Sequence, residues 1–201
     1  MWFLRIICRI IFKIFVPVTV LNKEKMPAEG ACIVAPNHET MMDMFMIGYK
    51  IKRKINWMAK QELFKFKPFG WLIKKCGAYP VKRDNHDVGG ANHTVNLLKS
   101  GEAVGIFPQG TRSKGRGLAL IPKPGFIRLA LDTDAKIVPI AIWGKIRIFG
   151  RVYVKFGDPV DPAVLLEGAA PSDKDAVKNA AVKYMENVYA MMEITDEDRK
   201  G

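Results

Sequence analysis

The chain has 201 residues, of which 49% are hydrophobic, which excludes a disordered polymer and fits one domain with a sizeable core. Its 32 lysines and arginines outnumber its 20 aspartates and glutamates, and the formal charge of +12 favours an anionic partner: nucleic acid, anionic lipid or a phosphorylated substrate. The three cysteines are far apart and have no paired spacing. They indicate neither a disulfide framework nor a zinc site, and a reducing interior fits best.

The first 22 residues are strongly apolar and carry regularly spaced cations. Arg5, Arg9 and Lys13 recur every fourth residue, so a helix would have a narrow cationic stripe opposite a broad apolar face. The longest uncharged run here, residues 14–22, is far shorter than the roughly 20 apolar residues that span a bilayer. We therefore predict that residues 1–22 are an amphipathic membrane-association segment in the cytoplasmic leaflet; a helix packed on the domain core is the alternative.

Between residues 23 and 195, strand-like runs alternate with helix-like segments. Strands are predicted at residues 31–35, 55–59, 77–81, 103–107, 136–142 and 151–156. Helices are predicted at residues 41–49, 69–75, 88–99, 126–131 and 172–192. This alternation favours one α/β domain, with a mixed, mostly parallel sheet covered by helices and a charged tail at residues 196–201.

Two local signals refine these elements. The last helix opens with a sequence typical of a capping box, beginning at Ser172. Pro139 lies inside an otherwise ideal strand, which predicts that it is at a sheet edge or at a strand start.

A histidine and an aspartate follow the first predicted strand of the domain. They form an N-H-x-x-x-x-D motif that begins at Asn37, with His38 and Asp43 as its chemical groups. Imidazole can take and return a proton near neutral pH, and a carboxylate on its second nitrogen fixes the tautomer. Because helical partners are three or four residues apart, the spacing predicts His38 in a loop and Asp43 on the first turn of a helix. Alone, the pair also fits a structural histidine.

Three further blocks follow in order, at residues 60–83, 106–113 and 137–142. The second of them is a strand that runs into a glycine turn rich in hydrogen-bond donors. Together with the histidine motif, this ordered set resembles the 1-acylglycerol-3-phosphate acyltransferase family, within the wider glycerophospholipid acyltransferases, over about residues 26–160.

The resemblance implies roles for individual residues. His38 and Asp43 match the catalytic pair, and Arg83 and Arg112 match the arginines that bind the acceptor phosphate. It also implies a glycerol-3-phosphate-acyltransferase-like fold, an acyl-thioester donor, and neither a metal nor another cofactor. The remaining predicted substrate-binding residues are Lys60, Gln109, Gly110 and Thr111.

Gln109 stands where the family usually has glutamate, in F-P-E-G-T-R. Glutamine keeps the shape and one acceptor of glutamate but loses its charge. We predict that this side chain organises its loop by hydrogen bonding, so that activity survives the change.

These observations predict that His38 deprotonates the free hydroxyl of lysophosphatidic acid, whose oxygen then attacks an acyl thioester of acyl-carrier protein or coenzyme A. The product would be phosphatidic acid. Asn37 and backbone N–H groups are candidate oxyanion donors. The predicted location is the cytoplasmic face of the cell membrane, as a peripheral or monotopic protein that binds anionic lipid through the N-terminal segment and residues 64–75.

Two alternatives remain open from the sequence. The acceptor could be another lyso-lipid or glycerol-3-phosphate. The protein could instead be a non-catalytic relative that binds anionic lipid, because the family glutamate is replaced by Gln109. A nucleic-acid partner is not expected, since the sequence contains no recognisable nucleic-acid-binding module.

Overall fold

The computed structural model describes residues 12, 14–82 and 88–194. Seven strands form a single sheet: β1 (Val18–Leu21), β2 (Cys32–Pro36), β3 (Ile55–Lys60), β4 (Ala78–Val81), β5 (Ala103–Gly105), β6 (Lys136–Gly144) and β7 (Val152–Phe156). Their spatial order is β1-β7-β6-β2-β5-β3-β4. The five strands from β6 to β4 are parallel, β7 is antiparallel to β6, and β1 is parallel to β7. The predicted mixed, mostly parallel sheet is confirmed.

Helices cover both faces of this sheet because its buried strands are apolar on both sides. The described α-helices are α1 (Asp43–Gly48), α2 (Lys67–Lys75), α3 (Val88–Lys99), α4 (Gly125–Thr133) and α5 (Lys174–Ala190). Along β2, Cys32 and Val34 belong to the core cluster that includes α1 and α2. Ile33 and Ala35 point the other way, into the cluster that includes α3, α4 and α5. The alternation of β2 thus divides the core into two layers.

The parallel strands place their carboxyl ends along one edge of the sheet, which we call the carboxyl edge. Because β7 and β1 run in the opposite direction, their first residues, Val152 and Val18, lie at this same edge. Ligands of open α/β sheets bind outside the carboxyl ends of the strands. The histidine motif and the block at residues 106–113 lie in connections at this edge, after β2 and β5.

The predicted N-terminal segment lies only partly within the described residues. Its last residues, Val18–Leu21, form β1, so they belong to the sheet rather than to a separate membrane segment. Phe12 is buried, and its ring meets that of Tyr49 edge to face at 5.2 Å between centroids. Residues 1–11 and 13 lie outside the described residues, so the amphipathic helix stays a prediction. Across residues 14–82 and 88–194, the structure contains no helix with the length and apolarity needed to cross a membrane.

The expectation for Pro139 is wrong, because β6 lies between β7 and β2 and Pro139 is in its middle. The carbonyl of Pro139 accepts a hydrogen bond from the N–H of Gly157 at 2.9 Å, on the β7 side. A strand residue directs its N–H and C=O to the same neighbour, so the missing N–H of proline faces this side too. Gly157 follows the last residue of β7, and the proline therefore sits where the ladder to that neighbour has ended.

Candidate active site

Asn37 anchors the loop that carries the histidine. Its side chain is fully buried and pairs with the backbone of Ile142 on β6. Asn37 Nδ2 donates to the Ile142 carbonyl at 2.8 Å, and the Ile142 N–H donates to Asn37 Oδ1 at 2.7 Å. Nδ2 also donates to Glu39 Oε1 at 2.9 Å. Both amide protons are thus used inside the protein, and Asn37 fixes the loop rather than presenting a donor to an oxyanion.

His38 and Asp43 form a close pair. His38 lies in the loop after β2, Asp43 is the first residue of α1, and His38 Nδ1 is 2.7 Å from Asp43 Oδ2. The loop therefore brings together two residues whose separation does not suit a regular helix. With Nδ1 held by the carboxylate, the neutral ring presents Nε2 as a proton acceptor.

The Asp43 carboxylate is fully buried but well satisfied. It accepts hydrogen bonds from the Glu39 N–H at 2.7 Å, the Thr40 N–H at 3.0 Å and the Thr40 hydroxyl at 2.8 Å. These hydrogen bonds replace the water that burial removes from the carboxylate. The motif residues between His38 and Asp43 thus orient the Asp43 carboxylate in addition to setting its separation from the histidine.

Two aromatic rings support the imidazole from behind. The Phe107 ring stacks on His38 with 4.0 Å between centroids, and Trp57 stacks on Phe107 at 5.3 Å. The His38 side chain is 15% exposed, so one edge of the ring stays open to a ligand. The stack restricts the ring to one plane. Phe107 lies inside a motif block, but nothing in the sequence pairs Trp57 with it.

The loop after β5 is bonded directly to the histidine loop. The Ser113 N–H donates to the His38 carbonyl at 2.6 Å, and the His38 N–H donates to Gln109 Oε1 at 3.3 Å. The Ser113 hydroxyl donates to Glu39 Oε2, so Glu39 links Asn37 with the second loop. These bonds hold the predicted phosphate-binding loop in a fixed position relative to the imidazole.

The Gln109 amide is bonded at both ends. Its Nε2 donates to the Gly117 carbonyl at 3.0 Å and to the Tyr189 hydroxyl, on α5, at 3.1 Å. Because the His38 N–H can only donate and the Gly117 carbonyl can only accept, these partners fix which end of the amide is oxygen. Partial burial raises the pKa of the Tyr189 hydroxyl. The hydrogen bond with Gln109 lowers this pKa, and the nearby Glu39 carboxylate raises it. The hydroxyl therefore stays neutral at physiological pH.

Known proteins resemble this chain in both sequence and fold. The sequence pattern of the acyltransferase family matches residues 17–143, which include both loops and β1 to β6. The chain belongs to the acyltransferase family. It is 36% identical to a 1-acyl-sn-glycerol-3-phosphate acyltransferase of Bacillus subtilis (strain 168) over 153 residues, which cover 73% of this chain and 75% of the relative.

Two further relatives agree with this membership. A 1-acyl-sn-glycerol-3-phosphate acyltransferase of Streptococcus pneumoniae is 35% identical over 70% of this chain, which spans 54% of that protein. The crystal structure of the 1-acyl-sn-glycerophosphate (LPA) acyltransferase PlsC from Thermotoga maritima superposes with a TM-score of 0.64 at 27% identity. The match covers 87% of this chain and 71% of that one.

The other predicted substrate-binding residues of the acyltransferase lie at the same edge, apart from one outside the described residues. Gly110 has a positive φ of 66°, and a Cβ built there would lie 3.3 Å from the Lys123 side chain. Glycine therefore suits this turn both by conformation and by space. Thr111 and Arg112 follow it and are exposed, and Lys60 ends β3. Arg83 lies outside the described residues, so its predicted role stays a prediction.

Two apolar cavities adjoin Phe107. A groove of about 570 Å³ lies between α3, α4 and the ends of β3, β4 and β5, with Lys82 and Lys123 among its lining residues. A smaller pocket of about 60 Å³ is lined by His38, Lys60 and apolar side chains of α1 and α2. Phe107 and Met58 contribute to both cavities, and His38 itself lines the smaller one.

Proposed function

We propose that this protein transfers an acyl chain from an acyl thioester to the free hydroxyl of 1-acylglycerol-3-phosphate, giving phosphatidic acid in phospholipid biosynthesis. The observation that carries the proposal is the 2.7 Å pair between His38 Nδ1 and Asp43 Oδ2, in a chain of the acyltransferase family. The names of the relatives from Bacillus and Streptococcus indicate the same acceptor.

In the proposed reaction, His38 Nε2 accepts the proton of the acceptor hydroxyl while Asp43 stabilises the imidazolium. The hydroxyl oxygen forms a bond to the thioester carbonyl carbon, and the resulting tetrahedral intermediate collapses by breaking the carbon–sulfur bond. The thiolate takes the proton from His38 and leaves as a free thiol. No covalent acyl-enzyme is needed, because the alcohol itself is the nucleophile.

The acceptor phosphate is assigned to the cationic residues of the carboxyl edge. Arg112 would supply a planar fork that matches phosphate oxygens, with Arg83 and Lys60 adding charge. Gly110 and Thr111 would let the backbone of the same loop approach the ligand. The groove of about 570 Å³ has the apolar lining and cationic rim suited to a lipid with one chain and a phosphate.

Both substrates of this reaction carry long hydrocarbon chains, so we propose that the enzyme works at the cytoplasmic face of the cell membrane as a peripheral or monotopic protein. The chain before β1 is the proposed membrane-association segment, and the sheet with its helices, from β1 onward, is the proposed catalytic domain. Its partners would be anionic membrane lipid, lysophosphatidic acid, and acyl-carrier protein or acyl-CoA as the donor.

Product analysis tests the proposal directly. Purified full-length protein would be mixed with labelled acyl-carrier protein or labelled acyl-CoA and with lysophosphatidic acid, a lyso-aminolipid or glycerol-3-phosphate, and products would be resolved by mass. We expect labelled phosphatidic acid from lysophosphatidic acid with at least one donor. Faster acylation of another acceptor would change the substrate, and no acylation of any acceptor would support a lipid-binding role instead.

A further inference from the structure

The connection between β6 and β7 presents two large apolar side chains to solvent. In this connection, which we call the β6–β7 turn (residues 145–151), Ile148 is 66% exposed and Phe149 is 76% exposed. Because β6 runs toward the carboxyl edge, the turn lies on the same edge of the sheet as His38. Neither side chain belongs to a motif block or to a core cluster.

The β6–β7 turn is rigidly built. The Gly150 N–H donates to the Arg147 carbonyl at 2.8 Å, and the Lys145 N–H donates to the Arg151 carbonyl at 2.9 Å. The Phe149 N–H donates to the carbonyl of Phe15, next to the start of β1, at 2.6 Å. A tight network of this kind holds the turn against the sheet and leaves its two apolar side chains pointing outward.

Phe149 also adopts an unusual backbone conformation. Its φ of 60° lies in the left-handed region, which bulky residues rarely occupy because it brings Cβ close to the backbone. Glycine or asparagine would adopt this conformation with less strain. Keeping a strained aromatic residue at an exposed tip indicates that the side chain itself is used there.

The same edge carries most of the exposed large apolar side chains of the described residues. Eight of the twelve lie in or next to connections at the carboxyl edge, and a ninth, Trp71, lies within α2, which begins at that edge; Val164, Val182 and Ile194 lie on other parts of the surface. Such a distribution is not expected of a surface that faces water on all sides. The nine are Ile14, Phe15, Met42, Phe66, Trp71, Leu118, Ile121, Ile148 and Phe149.

Cations accompany four of these apolar groups, Leu118, Ile121, Ile148 and Phe149, in two stretches of sequence that contain no carboxylate. The β6–β7 turn contains Lys145, Arg147 and Arg151, and the connection at residues 112–123 contains four further cations. Neither stretch contains aspartate or glutamate. Apolar side chains flanked by lysine and arginine match the layers of an anionic membrane surface, with hydrocarbon inside and phosphate outside.

We propose that the β6–β7 turn inserts Ile148 and Phe149 into an anionic bilayer, while its three cations bind lipid phosphates. The turn and the N-terminal chain next to it would then hold the carboxyl edge, and with it His38, against the membrane. The occupant is lipid rather than protein, because separate apolar tips surrounded by cations fit a fluid anionic surface. The biological role of this docking rests on the proposed function, but the vesicle experiment that tests the docking measures binding alone.

The experiment compares full-length wild-type protein with I148S/F149S and with the control V164S/V182S, which removes two exposed apolar side chains away from the β6–β7 turn. Each protein is floated with vesicles of phosphatidylcholine, with or without phosphatidylglycerol. We expect I148S/F149S to lose about tenfold or more in partition to anionic vesicles, and the control to match wild type. Thermal unfolding and gel filtration verify that all three proteins are folded and equally assembled.

Acylation of a short-chain lysophosphatidic acid, dissolved as monomers, separates docking from catalysis. We expect I148S/F149S to match wild type on this acceptor and to fall behind on acceptor presented in vesicles. Absence of transfer by wild type would contradict the proposed function but not the docking. Equal vesicle partition of I148S/F149S and wild type, equal losses in the control, or a changed assembly state in I148S/F149S would overturn the docking proposal.

Discussion

Gln109 combines a departure from the family pattern with a complete set of hydrogen bonds. Its oxygen accepts from the His38 N–H, and its nitrogen donates to Gly117 and Tyr189. The bonding explains why glutamine suits this chain, since a carboxylate could accept the first bond but could not donate the other two. These bonds join the two loops, which supports the predicted loop-organising role of Gln109; its role in activity and in substrate binding stays a prediction.

We expect Gln109→Glu to lower activity by about tenfold, equivalent to about 1.4 kcal/mol of transition-state stabilisation, because a carboxylate would face the Gly117 carbonyl. Acylation rates with saturating donor, measured beside those of Tyr189→Phe, check this. Tyr189→Phe removes one partner of the amide and should cost less. A large gain in activity for Gln109→Glu would instead show that the missing charge matters.

The contact between His38 and Asp43 could be predicted from the sequence, because the two residues are five apart and belong to one loop and one helix. The support around it could not. Glu39 bonds to Ser113 across 74 positions of the chain, and Gln109 bonds to Tyr189 across 80. Such side-chain contacts depend on how strands are ordered in the sheet, which local patterns do not contain.

Among the elements, strand and helix positions followed from periodicity, and the differences have physical causes. The strand β1 was hidden inside an apolar segment whose cations suggested a helix. Pro139 was expected at an edge or strand start, but it lies in a central strand where the pairing on one side has just ended. In both cases the neighbouring strand decides the outcome, and that neighbour is distant in sequence.

Helix α5 shows how one residue can shift a predicted boundary. The sequence suggested a capping box beginning at Ser172, but the N-cap is Asp173, whose carboxylate accepts from the N–H groups of Asp175 and Ala176 at 2.9 and 3.0 Å. An aspartate at this position also interacts favourably with the helix dipole. The helix it begins carries Tyr189 toward the active-site loops.

We expect Asp173→Ala to lower the free energy of unfolding by about 1 kcal/mol, because two N–H groups lose their acceptor. Chemical denaturation of the full chain measures this value, and Ser172→Ala is the matched control. The acylation rate of the folded Asp173→Ala protein should stay close to that of wild type. Equal stability of the two variants would show that Asp173 does not cap the helix.

At the scale of the whole molecule, the two ends of the parallel strands carry different kinds of residues. At the amino ends of the parallel strands, Arg53 donates to the carbonyls of Pro27 and Gly101. It thereby links the connections that precede β2 and β5. At the carboxyl edge lie the His38–Asp43 pair, the cationic loops and most of the exposed apolar side chains. A single direction of the parallel strands thus brings together the residues proposed for catalysis, for substrate binding and for contact with the membrane.

The central claim is that the imidazole of His38, held by Asp43, removes the proton from the acceptor hydroxyl. Its most direct test is the single-turnover rate of acyl transfer from a labelled thioester to lysophosphatidic acid, for wild type, His38→Ala and the control His93→Ala. We predict that His38→Ala falls by about 10³-fold or more while unfolding at the same denaturant concentration. His93→Ala should keep the wild-type rate. Undiminished transfer by folded His38→Ala protein would show that His38 does not remove the proton from the acceptor hydroxyl.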